Sequence, residues 1–395
     1  MSDSLLFHST IFCHLRKFLP DQDLRRLRSL AWAMTGLILE KTVNLPLWAT
    51  VIASEAKAAS RERRMRRLLE NKHIEVRHYY EPFLRSALAA WAGRTIYLAI
   101  DTTTLAGRLT VIRVALIYRG RAIPIAWEVL TQKSTAVALE HYADLLRYVA
   151  TLLPPKSRVV LLGDRGFRDT DLMALARELG WHFRLRLVKS EEVTFANGQH
   201  KHLAEIPLRR GQQRFFQRVR LTAQAYGPIN LALTWDTDPE AEPWYIATDE
   251  QADASTLEGY ALRMNLEEGV RDDKSGGFQP SALRASARRL EDSRLDDPLV
   301  LSRLLLVMAL SYLHLVSLGT IVVEEGLRHQ VDTHWRRGLS YFQIGWRWLR
   351  HQLSQGLCPW IVFYLNPIPD PEPVVASAMA RRIRSPTGAV ASANC

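Results

Sequence analysis

The chain has 395 residues, 47% of them hydrophobic and 24% charged, with a formal net charge of +11. That composition excludes a disordered chain and provides for a sizeable core, in two or three domains at about 150 residues each. The excess of Lys and Arg points to a polyanionic partner, because such side chains displace counterions from phosphate backbones, yet charge alone identifies no function.

Residues 1–90 read as helical, with "LRRLRSLAWAMTGLILEKTVNLPLWATVIA" leading into "ASRERRMRRLLENKHI". The opening "MSDSLLFHSTIF" carries Asp3 and no basic n-region, so no secretory signal is expected. Arg61, Arg63, Arg64, Arg66 and Arg67 form a basic helix, which is either a solvated face or a surface pressed against DNA. The pattern changes at residue 91. "TIYLAID" (95–101), "LTVIRVALIYR" (109–119) and "AIPIAWEVL" (122–130) are apolar, branched runs that predict three consecutive strands. A helix over 136–153, a strand over 158–164, a helix over 169–180 and a strand over 181–189 complete a mixed α/β sheet.

Residues 190–243 change texture to short alternating runs between turn residues, as expected of a β-rich insertion. His200 and His202 fall in a turn between insertion strands on this reading, rather than acting as metal ligands. The third part, 244–366, resumes with the buried strand "WYIAT", followed by a charged helix and further helices over 297–355. Within these, residues 304–323 carry no formal charge over a length that could span a bilayer. Ser311, Tyr312, His314, Ser317 and Thr320 favour a core helix there, one that could run into a strand. Residues 367–395 are Pro- and Ala-rich and read as a flexible tail. The three cysteines, Cys13, Cys358 and Cys395, form no C-x-x-C pair, so they support neither a zinc knuckle nor a disulfide framework and suit a reducing cytoplasm.

Two aspartates end strands: Asp101 the first, and Asp164, in "LLGDRGF", the fourth. Strand ends are where α/β sheets place reactive groups, although each aspartate alone also suits a turn or a helix cap. Paired carboxylates repel, and a divalent cation with a taste for oxygen, magnesium or manganese, relieves that repulsion. In "YALRMNLEEGVRDDK" (260–274), Tyr260, Arg263, Glu267 and Lys274 stand at offsets of 0, 3, 7 and 14. At about 100° per residue these share one stripe of a helix, provided it continues past Gly269. Glu267 is then placed to complete a two-metal site, with Arg263 and Lys274 to hold phosphates and Tyr260 to donate a hydrogen bond. Thr102, Thr103 and Thr104 are expected to satisfy turn backbone rather than act as nucleophiles, and Arg165 and Arg168 to contact DNA or balance local charge.

The spacing Y-x2-R-x3-E-x6-K resembles the signature of DDE transposases of the "insertion sequence four" family. "YLAIDTTTL" and "LLGDRGFRD" are similar to that family's two aspartate motifs, "RRGLSYFQIGWRWL" to its C-terminal core segment, and the N-terminal helices to its N-terminal region. The resemblance implies an α/β fold with an RNase H-like catalytic core, a mixed five-stranded sheet with flanking helices. A β-rich insertion would interrupt that core, and a helical N-terminal domain would bind the DNA ends. It implies cut-and-paste transposition, with Asp101, Asp164 and Glu267 ligating two magnesium ions, or manganese in their place. Tyr260, Arg263 and Lys274 would grip phosphates of the transposon end. In relatives that cut through a DNA hairpin, a tryptophan at the position of Trp244 receives a flipped base; the other reading of Trp244 is core packing. The partners implied are double-stranded DNA ends and target, and a second copy of the chain in the synaptic complex, with no membrane and with accessory targeting proteins left open. Two alternatives remain: an RNase H-like nuclease without strand transfer, and a transposase-derived DNA-binding protein without catalysis.

Overall fold

A computed structural model describes residues 2–105, 108–132, 137–264, 297–334 and 337–372. Five helices come first: α1 (Asp3–Phe18), α2 (Leu24–Glu40), α3 (Leu45–Val51), α4 (Ala58–Glu70) and α5 (Val76–Ala87). The starts of α2 and α5 have a local cause. The Asp23 carboxylate accepts from the Arg25 and Arg26 N–H groups at the head of α2, and Glu75 does the same for Arg77 and His78 in α5. In α2 every residue from Leu30 to Ile38 is buried, so the second half of the helix is held by packing on all sides.

The strands are β1 (Thr95–Leu105), β2 (Leu109–Tyr118), β3 (Arg121–Leu130), β4 (Arg158–Gly163) and β5 (His182–Arg186), with α6 (Leu139–Leu152) and α7 (Thr170–Glu178) as crossovers. Arg119 and Gly120 turn the β2–β3 hairpin with φ of 44° and 81°, the left-handed pair that matches strand twist. Strands β1 to β3 form an antiparallel meander, whereas β4 lies parallel to β1 and β5 parallel to β4. The parallel neighbours β4 and β5 are joined through α7, as parallel pairing requires.

The insertion supplies β6 (Glu192–Thr194), β7 (His200–His202), β8 (Gln213–Leu221) and β9 (Tyr226–Thr234), before β10 (Trp244–Thr248). These strands do not form a sheet of their own. β10 bonds antiparallel to β5 on one side and to β9 on the other, so one ten-stranded sheet runs in the order 3-2-1-4-5-10-9-8-6-7. The sheet expected to have five strands therefore continues into the insertion, because β10 leaves an edge whose open N–H and C=O groups β9 satisfies. His200 and His202 lie in strand β7, not in a turn; their Nδ1 atoms sit 2.8 Å from Thr194 Oγ1 and 3.0 Å from Ser190 O.

Three helices follow: α8 (Ala254–Ala261), α9 (Pro298–Glu324) and α10 (Tyr341–Ser354). The apolar window of α9, long enough to cross a membrane, is 89% buried inside the protein and is a core helix from end to end, with no strand within it. Arg303 at its start is buried and donates to Leu69 O in the last turn of α4 and to Ile74 O in the loop that follows, placing a cation at the end of that helix. The N-terminal helices and α9 thus share one hydrophobic core with the sheet. Residues 367–372, expected to belong to a flexible tail, are tied down. Asp370 accepts from Arg337 at 2.7 Å and from the Tyr341 hydroxyl, and Glu372 pairs with Arg328 at 2.7 Å.

Two histidines in this core make stability depend on pH. His8, stacked on Trp32 at 3.9 Å, and the fully buried His314 each have their pKa pulled down to about 4, chiefly by burial. Both are neutral in the folded chain. As pH falls from the ordinary 6.5 towards 4, the unfolded chain takes up protons that the folded one refuses, so stability is lost in that window. Urea melts at about pH 7 and about pH 5 are expected to differ by roughly 1 to 2 kcal/mol for each histidine. His314→Leu should remove one such share of the slope; an unchanged slope would remove His314 from this account.

Candidate functional site

The parallel register of β1 and β4 ends with Ile100 opposite Gly163, so Asp101 and Asp164 emerge side by side where β4 stops. Gly163 is closely packed: a Cβ there would lie 2.8 Å from Leu185 Cδ2 and 3.0 Å from Phe167 Cβ. Asp164 closes the following turn by accepting the Gly166 N–H at 2.8 Å. Asp101 does not end its strand. β1 continues to Leu105 because β2 is long enough to pair with it, Thr102 opposite Ile112 and Thr104 opposite Thr110. Thr102, Thr103 and Thr104 are therefore strand residues rather than turn residues.

Arg263 closes the site. Its Nη2 lies 3.3 Å from Asp101 Oδ1 and 3.3 Å from Asp164 Oδ2, so one nitrogen bridges both carboxylates. Burial pushes the Asp101 carboxyl above its usual range; Arg263 and, across the β1–β2 pair, Arg113 pull it back, while the charge of Asp164 adds to the rise. Asp164 is the more open of the two, with 42% of its side chain exposed against 25% for Asp101, so the pair faces solvent from one side.

The position of Arg263 follows from how α8 is seated. Asp253 and Thr256 form a capping box at its start. A Cβ on Gly259 would sit 1.5 Å from Arg184 Nη1, and that guanidinium donates to Ser255 O at 2.8 Å, so the helix lies directly on an arginine of β5. After Ala261 the chain tightens into a 3-10 turn, Leu262–Met264, which carries Arg263. The α-helical stripe is thus interrupted between Tyr260 and Arg263. Glu267 and Lys274 lie outside the described residues.

Tyr260 and Trp244 face the core. They are 2% and 4% exposed and meet edge to face at 5.1 Å, packed with Ala232, Ile246 and Leu257. Burial raises the Tyr260 hydroxyl to about 12, against the opposing charges of Arg263 and Arg186. Trp244 accordingly occupies the core position that was one of its two sequence readings, with the Arg186 guanidinium 6.0 Å from its ring.

Around the carboxylates stand further cations. Arg165 and Arg186 share Glu242, at 3.1 and 3.4 Å, and Arg168 lies 3.7 Å from Glu191. Arg165 and Arg168 thus balance local acids, yet both remain about half exposed. On α4 the five arginines divide. Arg61 donates to Ile52 O, Arg64 to Ser29 Oγ and Arg66 to Glu62, whereas Arg63 and Arg67, one turn apart, are exposed. Sequence pattern does not single out Arg113, Arg184, Arg186 or Glu242. The signal was present in part: Arg113 breaks the apolar run of β2, and Arg184 and Arg186 alternate along β5.

Two adjacent carboxylates already sharing one cation suit a divalent metal ion, with the surrounding arginines able to receive phosphate. Among the described residues, no three His, Cys, Asp or Glu side chains come together as a ligand set, so a third ligand would come from elsewhere.

No family model and no curated protein matches the sequence. Among solved structures, the chain is similar to the piggyBac transposase in its synaptic complex with hairpin DNA, at a TM-score of 0.36 and 13% identity, over 93% of this chain and 86% of that one.

Proposed function

We propose that the chain is a DNA transposase that cleaves transposon ends by metal-dependent phosphodiester hydrolysis and joins the exposed 3′-hydroxyls to target DNA. The observation that carries this reading is the pairing of Asp101 and Asp164 on adjacent parallel strands, bridged by Arg263 and with Arg113 opposite Asp101. The strand order 3-2-1-4-5 of the first five strands suits an RNase H-like core. The order of the two aspartates and the Tyr260–Arg263–Glu267–Lys274 spacing add the resemblance to the "insertion sequence four" family.

Asp101 and Asp164 would hold the metal together with Glu267. Two divalent ions held there would supply an activated water or hydroxyl oxygen and stabilisation of the leaving oxygen. The protein residues position the DNA. Arg113, Arg165 and Arg186 set a positive field around the carboxylates, which draws in a phosphodiester and restrains it for in-line attack. Arg63 and Arg67 on the exposed face of α4 would neutralise backbone phosphates away from the cleavage point. A base-flipping role for Trp244 requires it to leave its place against Tyr260, so hairpin processing forms no part of this proposal. Two DNA ends have to be held together, which calls for two copies of the chain.

The test uses labelled DNA carrying the segments that flank the gene. With magnesium, a nick at the element boundary and joined products in a target plasmid are expected. Nicks without joined products would favour a nuclease, and specific binding without nicks under any divalent metal would favour a DNA-binding protein.

A further inference from the structure

We infer that Arg263 is an internal cation that competes with the divalent metal ion for the Asp101–Asp164 pair, so that metal binds only when this guanidinium withdraws. The inference rests on the metal-dependent reading above and adds a property that reading does not require. A divalent ion shared by these oxygens sits at roughly 2.0 to 2.6 Å from each. Arg263 Nη2 stands between the same two oxygens, at 3.3 Å from both, so a divalent ion bridging that pair and the guanidinium would claim the same place.

Three features make Arg263 exchangeable rather than a fixed structural ion pair. First, its Nε is buried with no hydrogen-bond partner among the described residues, so the bound position leaves that donor unsatisfied by them. Second, the side chain departs from a short 3-10 turn beyond the end of α8, where backbone hydrogen bonding is poorer than inside the helix. Third, the pair is not left without positive charge when it goes, because Arg113 stands opposite Asp101 on β2. Arg263 would then act as a positioning residue. It suppresses repulsion between the two carboxylates before metal arrives, and is free to meet a phosphate once metal has replaced it.

The experiment measures manganese binding to the full chain without DNA, by electron paramagnetic resonance of free Mn2+ and by calorimetry. Arg263→Gln is expected to bind Mn2+ about tenfold more tightly than wild type, the factor that about 1.4 kcal/mol of vacated ion pairing represents. Asp101→Asn should lose the site. Thermal melts add an independent readout: without metal Arg263→Gln should melt lower than wild type, and Mn2+ should raise its midpoint by more. Should the glutamine variant fail to fold, Arg263→Lys carries the test. Its single ammonium spans the pair less well, so a smaller shift in the same direction is expected. Equal or weaker Mn2+ binding by the Arg263 variants, with Asp101→Asn still losing the site, would overturn the competition and leave the metal reading standing. Undiminished binding by Asp101→Asn would remove both.

Discussion

Asp101→Asn and Asp164→Asn are each expected to lower DNA cleavage by about a thousandfold or more. A metal ion stabilises transition-state charge by several kcal/mol, and each 1.4 kcal/mol is a factor of about ten. Asparagine keeps the shape of the side chain and removes the charge on which a bound divalent ion would depend. Folding should not suffer in step. Burial already disfavours the ionised form of Asp101, so Asp101→Asn removes a desolvated charge and is expected to melt no lower than wild type. The pair of measurements separates chemistry from structure: a variant that loses cleavage only because it unfolds would show both losses together. Retention of more than about a tenth of the cleavage rate by either variant would take that aspartate out of the metal site.

The second large effect is structural and lies where α9 crosses α10. A Cβ on Gly345 would stand 1.9 Å from Leu315 O, and one on Gly319 1.8 Å from Tyr341 O. The two helix backbones touch, and no side chain at the crossing can yield to make space. Gly345→Ala and Gly319→Ala should each cost more than about 3 kcal/mol, beyond the usual penalty for overpacking, because backbone has to move. Urea melts or soluble yield would report it. Gly356→Ala is the control: that glycine has φ +66° and nothing within 4 Å, so only the strain of a left-handed residue is at stake, about 1 kcal/mol. Equal, small losses at all three positions would mean that the helices do not cross this closely.

The sequence made the first four strands legible because each is an apolar, branched run bounded by turn residues, as in "TIYLAID" and "RVVLLGD", and the fifth as a short alternating run after Gly180. Asp101 and Asp164 stood out as a pair because each closes such a run, and the parallel pairing of β1 with β4 brings them together. Where β1 ends was not legible. Its last residues are held by β2 alone, a pairing that depends on the length of the partner rather than on β1. The continuity of the sheet through β10 was hidden for the same reason: edge bonding between β10 and β9 involves backbone groups, which leave no pattern in side chains. Periodicity put Tyr260 and Arg263 on one helical stripe, but the 3-10 turn after Ala261 and the weight of Arg184 against Gly259 turn Tyr260 into the core and Arg263 onto the carboxylates. Proline-rich composition suggested a loose tail from residue 367, whereas two acids, Asp370 and Glu372, find buried arginines. Composition has no means of showing that pairing.

The most direct test of the account is excision in cells. A donor plasmid carries a marker between the DNA segments that flank the gene, and sequencing scores resealed donors and new insertions. Wild-type protein is expected to give both, and Asp101→Asn, Asp164→Asn and Glu267→Gln neither. Excision that persists in the carboxylate variants, or wild-type protein that binds the ends without ever excising the marker, would contradict a metal-dependent transposase.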